Sequence, residues 1–421
     1  MLDIRSWGCG THLLVIGAMV LVGLSIAIGR NWETVALMAD NVTVMGEGAA
    51  EAEQLRYPRD LVDYLAAHPE RASLVAYDVG APEQGVWYQA ERERPVVQLA
   101  QLRLLGTYSR AVAAGRLDST RRVSLDSVAV YAVPGAAQQA YTTTRRRWAA
   151  RGVLRADSTV PLRAVARAAF RHDDPAAADA LLAVVGRAAV DTLDWGAPGA
   201  MPLPQPRSGR QLAWMLSDGA EPTRDQVYRF FERVRGDSAF RQRHYARIAT
   251  RGSGLTLRQQ RERGGEDLPR ASAGGYARLL GALATGRGGP PAATTHMQTL
   301  LETDVQADSL GLSVHTVATI GGALPGVISV AGYARRPDRP PRVVVLLLDD
   351  LPMGVFYHLL QTGLDKGFQL RLFSDDDFLR QVRQRLAPGT TAAAPRKSQA
   401  NFRTESTGRA VESAPATLKT R

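Results

Sequence analysis

Few side chains in this sequence are placed to do covalent or metal chemistry. Cys9 is the only cysteine, so the chain can form neither an internal disulfide nor a cysteine metal cluster. The seven histidines are dispersed, without a pair spaced to bind metal from one helix face. No lysine precedes Lys366, and arginine cannot replace lysine as a base because it keeps its proton. We therefore expect no metal or other cofactor.

Four polar groups remain as candidates, and each has a structural interpretation that we favour. His172 beside Asp173 could be an acid–base pair, but such pairs are more often contacts at a helix boundary. Asp375-Asp376-Asp377 precedes an apolar helix, where acidic residues favour the N-terminus. Ser217-Asp-Gly indicates a helix end with a glycine stop, and Asp349-Asp350 indicates a solvated turn.

The elements that must position any site have an uneven order along the chain. Strand-like runs cover 73–79 and 85–89, and three more cover 312–320, 326–335 and 342–348. The chain between them is mainly helical, with helical segments at 98–114, 161–171, 175–186, 209–217, 223–235 and 272–285. Short apolar strands must be buried, so the two groups should form one sheet. The predicted fold is α/β (α+β), an antiparallel sheet of N- and C-terminal strands with a large inserted helical subdomain. A site is expected in the cleft between these halves.

This arrangement, with its local sequences, resembles the serine β-lactamase and penicillin-binding superfamily, and class A β-lactamases most closely. The resemblance covers about residues 57–350. It rests on SLVAYDVGAPEQGVWYQAERERPVV, LLGTYSRAVAAGRLDSTRRVSL, VPLRAVARAAFRHDDPAAADALLAVVG, ASAGGYARLLGALATG and TVATIGGALPGVISVAGYARRPDRPPRVVVLLL.

The resemblance implies three catalytic motifs, and this sequence departs from all of them. The family's Ser-x-x-Lys, which provides a nucleophile and a proton-transferring amine, corresponds here to Gln98 and Gln101. Its Ser-Asp-Asn corresponds to Asp173, Asp174 and Pro175, and its Lys-Thr-Gly to Thr319, Ile320 and Gly321. The deacylation pattern Glu-x-x-Leu-Asn is also missing, and Glu266 is the nearest carboxylate before the ASAGG segment.

The resemblance therefore predicts a β-lactamase-like domain that has lost acyl transfer, because glutamine is neither a nucleophile nor a base. Its role would be binding or scaffolding at the cell envelope, with a peptidoglycan fragment or an envelope protein as partner. The alternative is an active serine hydrolase, or β-lactamase, acting on β-lactams or peptidoglycan-type amides through an unrecognised nucleophile. A weaker third alternative is a membrane-tethered structural protein.

The chain outside this domain predicts its location. Residues 6–29 carry no formal charge, which predicts a short segment at 1–11 and a transmembrane signal anchor at 12–29. Ser25-Ile-Ala27 makes a cleaved secretory signal the alternative. A tether at 30–56, the domain at 57–386 (helical insert about 98–300) and a disordered tail at 387–421 complete the prediction. The domain is expected outside the cytoplasm on a single-pass anchor.

The net charge of +11 does not indicate nucleic-acid binding. The arginines are scattered among acidic residues, and no nucleic-acid-binding motif accompanies them. We expect Arg145-Arg146-Arg147, the densest local cluster, to lie in a loop.

Overall fold

The computed structural model describes residues 41–193, 201–216, 222–252, 255–305 and 314–387. Within them a six-stranded antiparallel sheet has the order β2-β1-β10-β9-β8-β7, and two small sheets pair β3 with β6 and β4 with β5. The strands are β1 (Ala72–Asp78), β2 (Val86–Tyr88), β3 (Glu93–Pro95), β4 (Arg122–Ser124), β5 (Thr159–Pro161), β6 (Arg270–Ser272), β7 (Glu302–Asp304), β8 (Thr316–Leu324), β9 (Val327–Arg336) and β10 (Arg339–Leu348).

The predicted joining of the two strand groups is confirmed, because β1 pairs with β10 along its whole length, with Val75 opposite Val345. Both faces of the sheet are buried, which explains why β10 is an almost continuous apolar run. Val343, Val345 and Leu347 face one core cluster. Val344, Leu346 and Leu348 face the other.

One face of the sheet packs against the helical insert. All six predicted helical segments are helical in the structure, with boundaries shifted by a few residues. The helices of this layer are α3 (Leu102–Ala113), α4 (Leu125–Ala129), α5 (Ala136–Ala150), α6 (Leu162–Arg171), α7 (Pro175–Val185), α8 (Arg187–Asp191), α9 (Arg207–Leu216), α10 (Arg224–Gly236), α11 (Ser238–Arg251), α12 (Leu257–Glu266), α13 (Ala273–Ala284) and α14 (Pro291–Leu301).

The prediction of a loop at Arg145-Arg146-Arg147 is wrong, because all three lie within α5. The helix forms around a buried face that includes Ala137, Tyr141, Thr144 and Trp148, spaced three or four residues apart. The arginines lie between these positions and are exposed.

The other face of the sheet is covered by helices from both ends of the domain. They are α1 (Ala49–Gln54), α2 (Pro58–Ala67), α15 (Met353–Thr362), α16 (Leu364–Ser374) and α17 (Asp376–Leu386). The predicted tether at 30–56 therefore extends too far, since Val44, Ala52 and Leu55 are buried in this core cluster. A flexible tether would not bury apolar side chains in the core, so the folded domain begins before residue 57.

The predicted anchor at 12–29 lies outside the described residues, as do the glycine stop at 217–219 and the predicted tail from 388 onward. No helix in the part of the chain that the structure describes is both long and apolar enough to span a bilayer.

Two buried arginines form hydrogen bonds between the ends of the central strands and neighbouring segments. Arg94 donates to Ser73 Oγ at 2.7 Å and to Asp349, so the prediction of a solvated turn at Asp349 is wrong. Arg342 binds both Asp78 and Asp376. The predicted helix start at 375–377 is confirmed, because Asp375 accepts a hydrogen bond from the backbone N–H of Phe378 at 2.8 Å.

The small β3–β6 sheet fixes the segment that leads to the predicted site. Beyond β3, the backbone N–H of Val96 donates to Pro269 O at 2.8 Å, and that of Val97 to Ser329 Oγ at 3.0 Å. A 3-10 turn, Leu99–Gln101, then leads into α3. The apolar side of α3, with Leu102, Leu105 and Tyr108, is fully buried, so Gln98 is held between the sheet and the helical layer.

Candidate functional site: a cleft bridged by Gln98

Gln98 joins the two walls of the space between sheet and helices. Its side chain is 2% exposed. Its amide nitrogen donates to Ala169 O near the end of α6, at 3.0 Å, and its amide oxygen accepts from the backbone N–H of Gly321 on β8, at 3.3 Å. Ala169 lies in the last turn of α6, where carbonyls lack helical partners. Gly321 lies on a stretch of β8 beyond the short pairing with β7. One side chain thus provides a hydrogen-bond partner both for a carbonyl at the end of α6 and for a backbone N–H of β8.

Gln101 lies one turn further along and reaches a different element. It is 4% exposed, and its amide nitrogen is 3.4 Å from Gln205 O, in the segment that precedes α9. This hydrogen bond is long, so it contributes less than either bond of Gln98. The two glutamines are neighbours in sequence, but they bond to separate parts of the domain.

Asp173, Asp174 and Pro175 form the connection between α6 and α7. Asp174 is buried and caps α7, accepting from the N–H groups of Ala176 at 2.9 Å and Ala177 at 3.1 Å. Burial raises the pKa of the Asp174 carboxyl, although a hydrogen bond from Thr144 and those from the helix backbone oppose this. Pro175 occupies the first helical turn, where a missing N–H costs nothing. All three positions therefore have structural roles in the turn.

The negative charge of Asp173 is compensated within the domain. Asp173 adopts a left-handed backbone conformation, with φ of 48°, and its carboxylate pairs with Arg207 at the start of α9. The structure shows no hydrogen bond between the side chains of Asp173 and His172 among the described residues, so the two do not form an acid–base pair. Burial and the neighbouring Arg147 lower the pKa of His172.

Thr319, Ile320 and Gly321 lie in the middle of β8, where they pair with Gly332, Ala331 and Val330 of β9. Ile320 is buried against the helical layer, whereas Thr319 is exposed. The close strand pairing also explains the glycine, since a Cβ at Gly321 would lie 3.0 Å from Ser329 O.

A cleft of about 590 Å³ brings these sequence-predicted residues together. Gln98, Asp173 and Thr319–Gly321 all line it, whereas Gln101, Asp174 and Pro175 do not. The described residues that line it are Gln98, Arg147, Phe170, Arg171, His172, Asp173, Thr319, Ile320, Gly321, Gly322, Ala323, Ile328, Val330, Leu360, Asp365, Lys366 and Gln369.

Three polar residues of the cleft come from α16 and were missed in the sequence. Lys366 is exposed at the rim; the sequence marks it as the first lysine of the chain but gives no sign that it reaches the cleft. Asp365 and Gln369 are 2% and 4% exposed, and they lie four residues apart on one helix face. Within the described residues, Asp365 Oδ1 and Gln369 Nε2 are buried without a hydrogen-bond partner. Such orphaned atoms are costly unless a ligand or water satisfies them.

Comparison with known proteins identifies the family of this domain. The sequence profile of the family described as "Beta-lactamase enzyme family" matches residues 57–354. The chain belongs to this family. The match begins at the residue where the domain was predicted to start, and the predicted serine β-lactamase-like fold is confirmed. No curated protein sequence matches the chain significantly.

Several solved structures of the family resemble the chain at low identity. A β-lactamase from Sphaerobacter thermophilus is 16% identical, with 73% of this chain and 96% of that chain covered, at a TM-score of 0.41. A β-lactamase from Chitinophaga pinensis is 12% identical, with 79% and 99% covered, at a TM-score of 0.45. A point mutant of PBP-A, solved as an acyl-enzyme complex with penicillin G, is 14% identical, with 79% and 97% covered, at a TM-score of 0.44.

The β-lactamase-family cleft of this chain has one hydroxyl among its described lining residues, that of Thr319, and no serine or cysteine. A serine–histidine pair does exist elsewhere, where Ser109 Oγ lies 3.0 Å from His296 Nδ1. Ser109 is fully buried between α3 and α14, so a substrate cannot reach it. Glu266 is exposed at the end of α12 and does not line the cleft.

Proposed function

We propose that this β-lactamase-family domain has no acyl-transfer activity and binds a ligand in its cleft at the cell envelope. The observation that carries the proposal is the double hydrogen bond of Gln98, to Ala169 O and to the N–H of Gly321. The residue at the position of the family's nucleophile is an amide, and it is engaged with the protein itself.

The chemistry of the cleft supports the absence of acyl transfer. Covalent catalysis needs a nucleophile within about 3 Å of a base. Thr319 is the one hydroxyl among the described lining residues, and its side chain has no hydrogen bond to a base in the described part of the chain. The nearby basic groups, His172 and Lys366, are therefore not coupled to a nucleophile.

The same cleft keeps features of a binding site. Its volume falls within the range of about 300–1,000 Å³ that is typical of small-molecule pockets. Arg147, Arg171 and Lys366 give its wall a positive charge, and the buried Asp365 and Gln369 add polar side chains beside them. This combination suits a polar, anionic ligand such as a peptidoglycan fragment, and an envelope protein is the other partner that we consider.

The location is part of the proposal. The uncharged run at 6–29 supports a single-pass anchor at 12–29, with the domain outside the cytoplasm. Protease treatment of intact cells tests this placement, because an extracytoplasmic domain is degraded and a cytoplasmic one is protected.

The direct test of inactivity is mass spectrometry of the full-length protein after incubation with penicillin and with a fluorophosphonate. We expect no adduct, while an active class A β-lactamase treated in parallel is labelled. An adduct on any serine would show that the active site has been relocated and would overturn the proposal.

Binding is tested separately by calorimetry with soluble peptidoglycan fragments. Lys366→Gln should weaken binding, whereas Arg380→Gln, which removes one charge from the exposed face of α17, should not. Equal binding by both variants and the wild type would exclude the cleft as the binding site.

A further inference from the structure

A second cavity, of about 400 Å³, lies between α5, α6 and the small β4–β5 sheet. We call it the arginine cavity, because six of its lining residues are arginines and none is acidic. The described residues that line it are Arg122, Thr144, Arg147, Trp148, Arg151, Gly152, Val153, Arg155, Pro161, Arg163, Ala164, Arg167, Ala168 and His172.

The sequence places these arginines on single helix faces. Arg147 and Arg151 are four residues apart at the C-terminal end of α5, and Arg163 and Arg167 are four residues apart on α6. Like charges at this spacing destabilise a helix. This repulsion applies to α6, whereas at the C-terminal end of α5 the helix dipole offsets part of it.

Most of these guanidinium groups have no hydrogen-bond or ion-pair partner among the described residues. Arg122 is the exception, since its Nε donates to Thr159 Oγ1 at 2.9 Å. For Arg147, Arg151, Arg163 and Arg167, the structure shows no side-chain hydrogen bond or ion pair within the described residues. Other arginines of this domain, such as Arg94, Arg207 and Arg342, are paired with carboxylates.

A carboxylate beside the cavity, that of Asp157, does not neutralise it. Asp157 lies in the turn that precedes β5, outside the lining, and accepts from Thr159. It attracts Arg122 and Arg155 on that side. The arginines on α5 and α6 remain without a counter-charge within the described residues.

We propose that the arginine cavity binds a compact ligand bearing several phosphate oxygens, such as a pyrophosphate group. Guanidinium groups match phosphate oxygens with two parallel hydrogen bonds, and these charge-assisted bonds are the strong ones. Several converging arginines fit a multivalent phosphate better than a single carboxylate, because each guanidinium can engage a separate pair of oxygens. The cavity is concave and of the size that small ligands need.

The arginine cavity adjoins the cleft, since Arg147 and His172 line both. Burial and the positive charge of Arg147 lower the pKa of His172, in keeping with an uncompensated positive field. The inference does not depend on whether the cleft is catalytically inactive.

The test is titration calorimetry of the full-length protein, in a nonionic detergent, with inorganic pyrophosphate. We expect saturable binding at one site per chain. Arg163→Gln with Arg167→Gln should weaken it by at least about tenfold, because two charge-assisted contacts are lost. Both residues are exposed and have no bonded partner in the described structure, so the fold should persist, which circular dichroism checks. Arg151→Gln is an independent variant from the opposite helix and should also weaken binding.

The matched control is Arg145→Gln with Arg146→Gln. These residues lie on α5 and are exposed, and their replacement removes the same net charge, but neither lines the arginine cavity. Binding by this control should stay within about twofold of the wild type, as screened surface charges predict. Absence of saturable binding, or equal weakening in the control and cavity variants, would overturn the proposal.

A parallel titration with dihexanoyl phosphatidic acid, below its micellar concentration, distinguishes the source of the phosphate. Tighter binding of this lipid than of pyrophosphate would assign the cavity to a lipid headgroup. Tighter binding of pyrophosphate would assign it to a soluble or diphosphate-bearing ligand. In either case the cavity variants must weaken binding of the preferred ligand while the control does not.

Discussion

Gln98 should stabilise the domain through its two hydrogen bonds, and replacing it with methionine tests this. Methionine has a similar length and keeps the packing, but it cannot donate to Ala169 O or accept from the N–H of Gly321. Each lost bond in a buried site costs about 1 kcal/mol. We therefore expect Gln98→Met to lower the free energy of unfolding by about 2 kcal/mol.

Gln101→Met is the matched control for this prediction. Gln101 is the same residue type, is almost equally buried and lies three positions away, but it makes one long bond of 3.4 Å. Its replacement should cost less than about 1 kcal/mol, because long hydrogen bonds are weak. Both variants bury a methionine side chain, so the difference between them measures the contribution of the two Gln98 hydrogen bonds.

The assay is urea unfolding of the full-length variants, followed by tryptophan fluorescence. The midpoints should rank wild type above Gln101→Met, and Gln101→Met above Gln98→Met, with similar slopes. If Gln98→Met is as stable as the wild type, or no less stable than Gln101→Met, the bridge between α6 and β8 does not hold the walls together. The reasoning about Gln98 would then be refuted.

Three further predictions concern other parts of the domain. Gln98→Ser with Gln101→Lys should give no acyl-enzyme with penicillin by mass spectrometry, because the two side chains reach different elements and β8 supplies no cation; a stable adduct would contradict this. Asp179→Ala should cost about 3 kcal/mol in urea unfolding, because this buried carboxylate accepts from the N–H groups of Arg207 and Ser208 at the start of α9, and a loss below about 1 kcal/mol would show that α9 is held by other contacts. Burial opposes the ionisation of Asp376, but hydrogen bonds from Arg342 and Arg339 outweigh it and lower the pKa from 3.8 to about 2. Its contribution to stability is therefore present above about pH 4 and is lost as the pH falls from about 4 to 2, and Asp376→Asn should reduce the slope of stability against pH in that range.

The apolar pattern predicted that the N- and C-terminal strands share one sheet, and it located six helices of the insert. Runs such as 73–79 and 342–348 cannot remain in water, so their pairing followed from the cost of exposing them. The loss of the family's Ser-x-x-Lys was equally plain, because it depends on which residues occupy 98 and 101. The prediction at 145–147 was wrong because three consecutive charges are typical of a loop. The helical pattern is visible only in the buried residues that flank them, Tyr141 and Trp148.

Only the tertiary structure decided what surrounds these positions. Lys366, Asp365 and Gln369 reach the cleft from α16, more than two hundred residues after Gln98, and no local pattern encodes that meeting. Arg94 and Asp349 form their pair for the same reason, since β1 and β10 bring the chain ends together. Sequence periodicity reports which face of an element is buried, whereas the contact between two distant elements depends on how all the buried faces pack at once. The arginine cavity shows both levels: the spacing of its arginines along α6 can be read from the sequence, whereas only the tertiary structure brings α5, α6 and the β4–β5 sheet around one cavity.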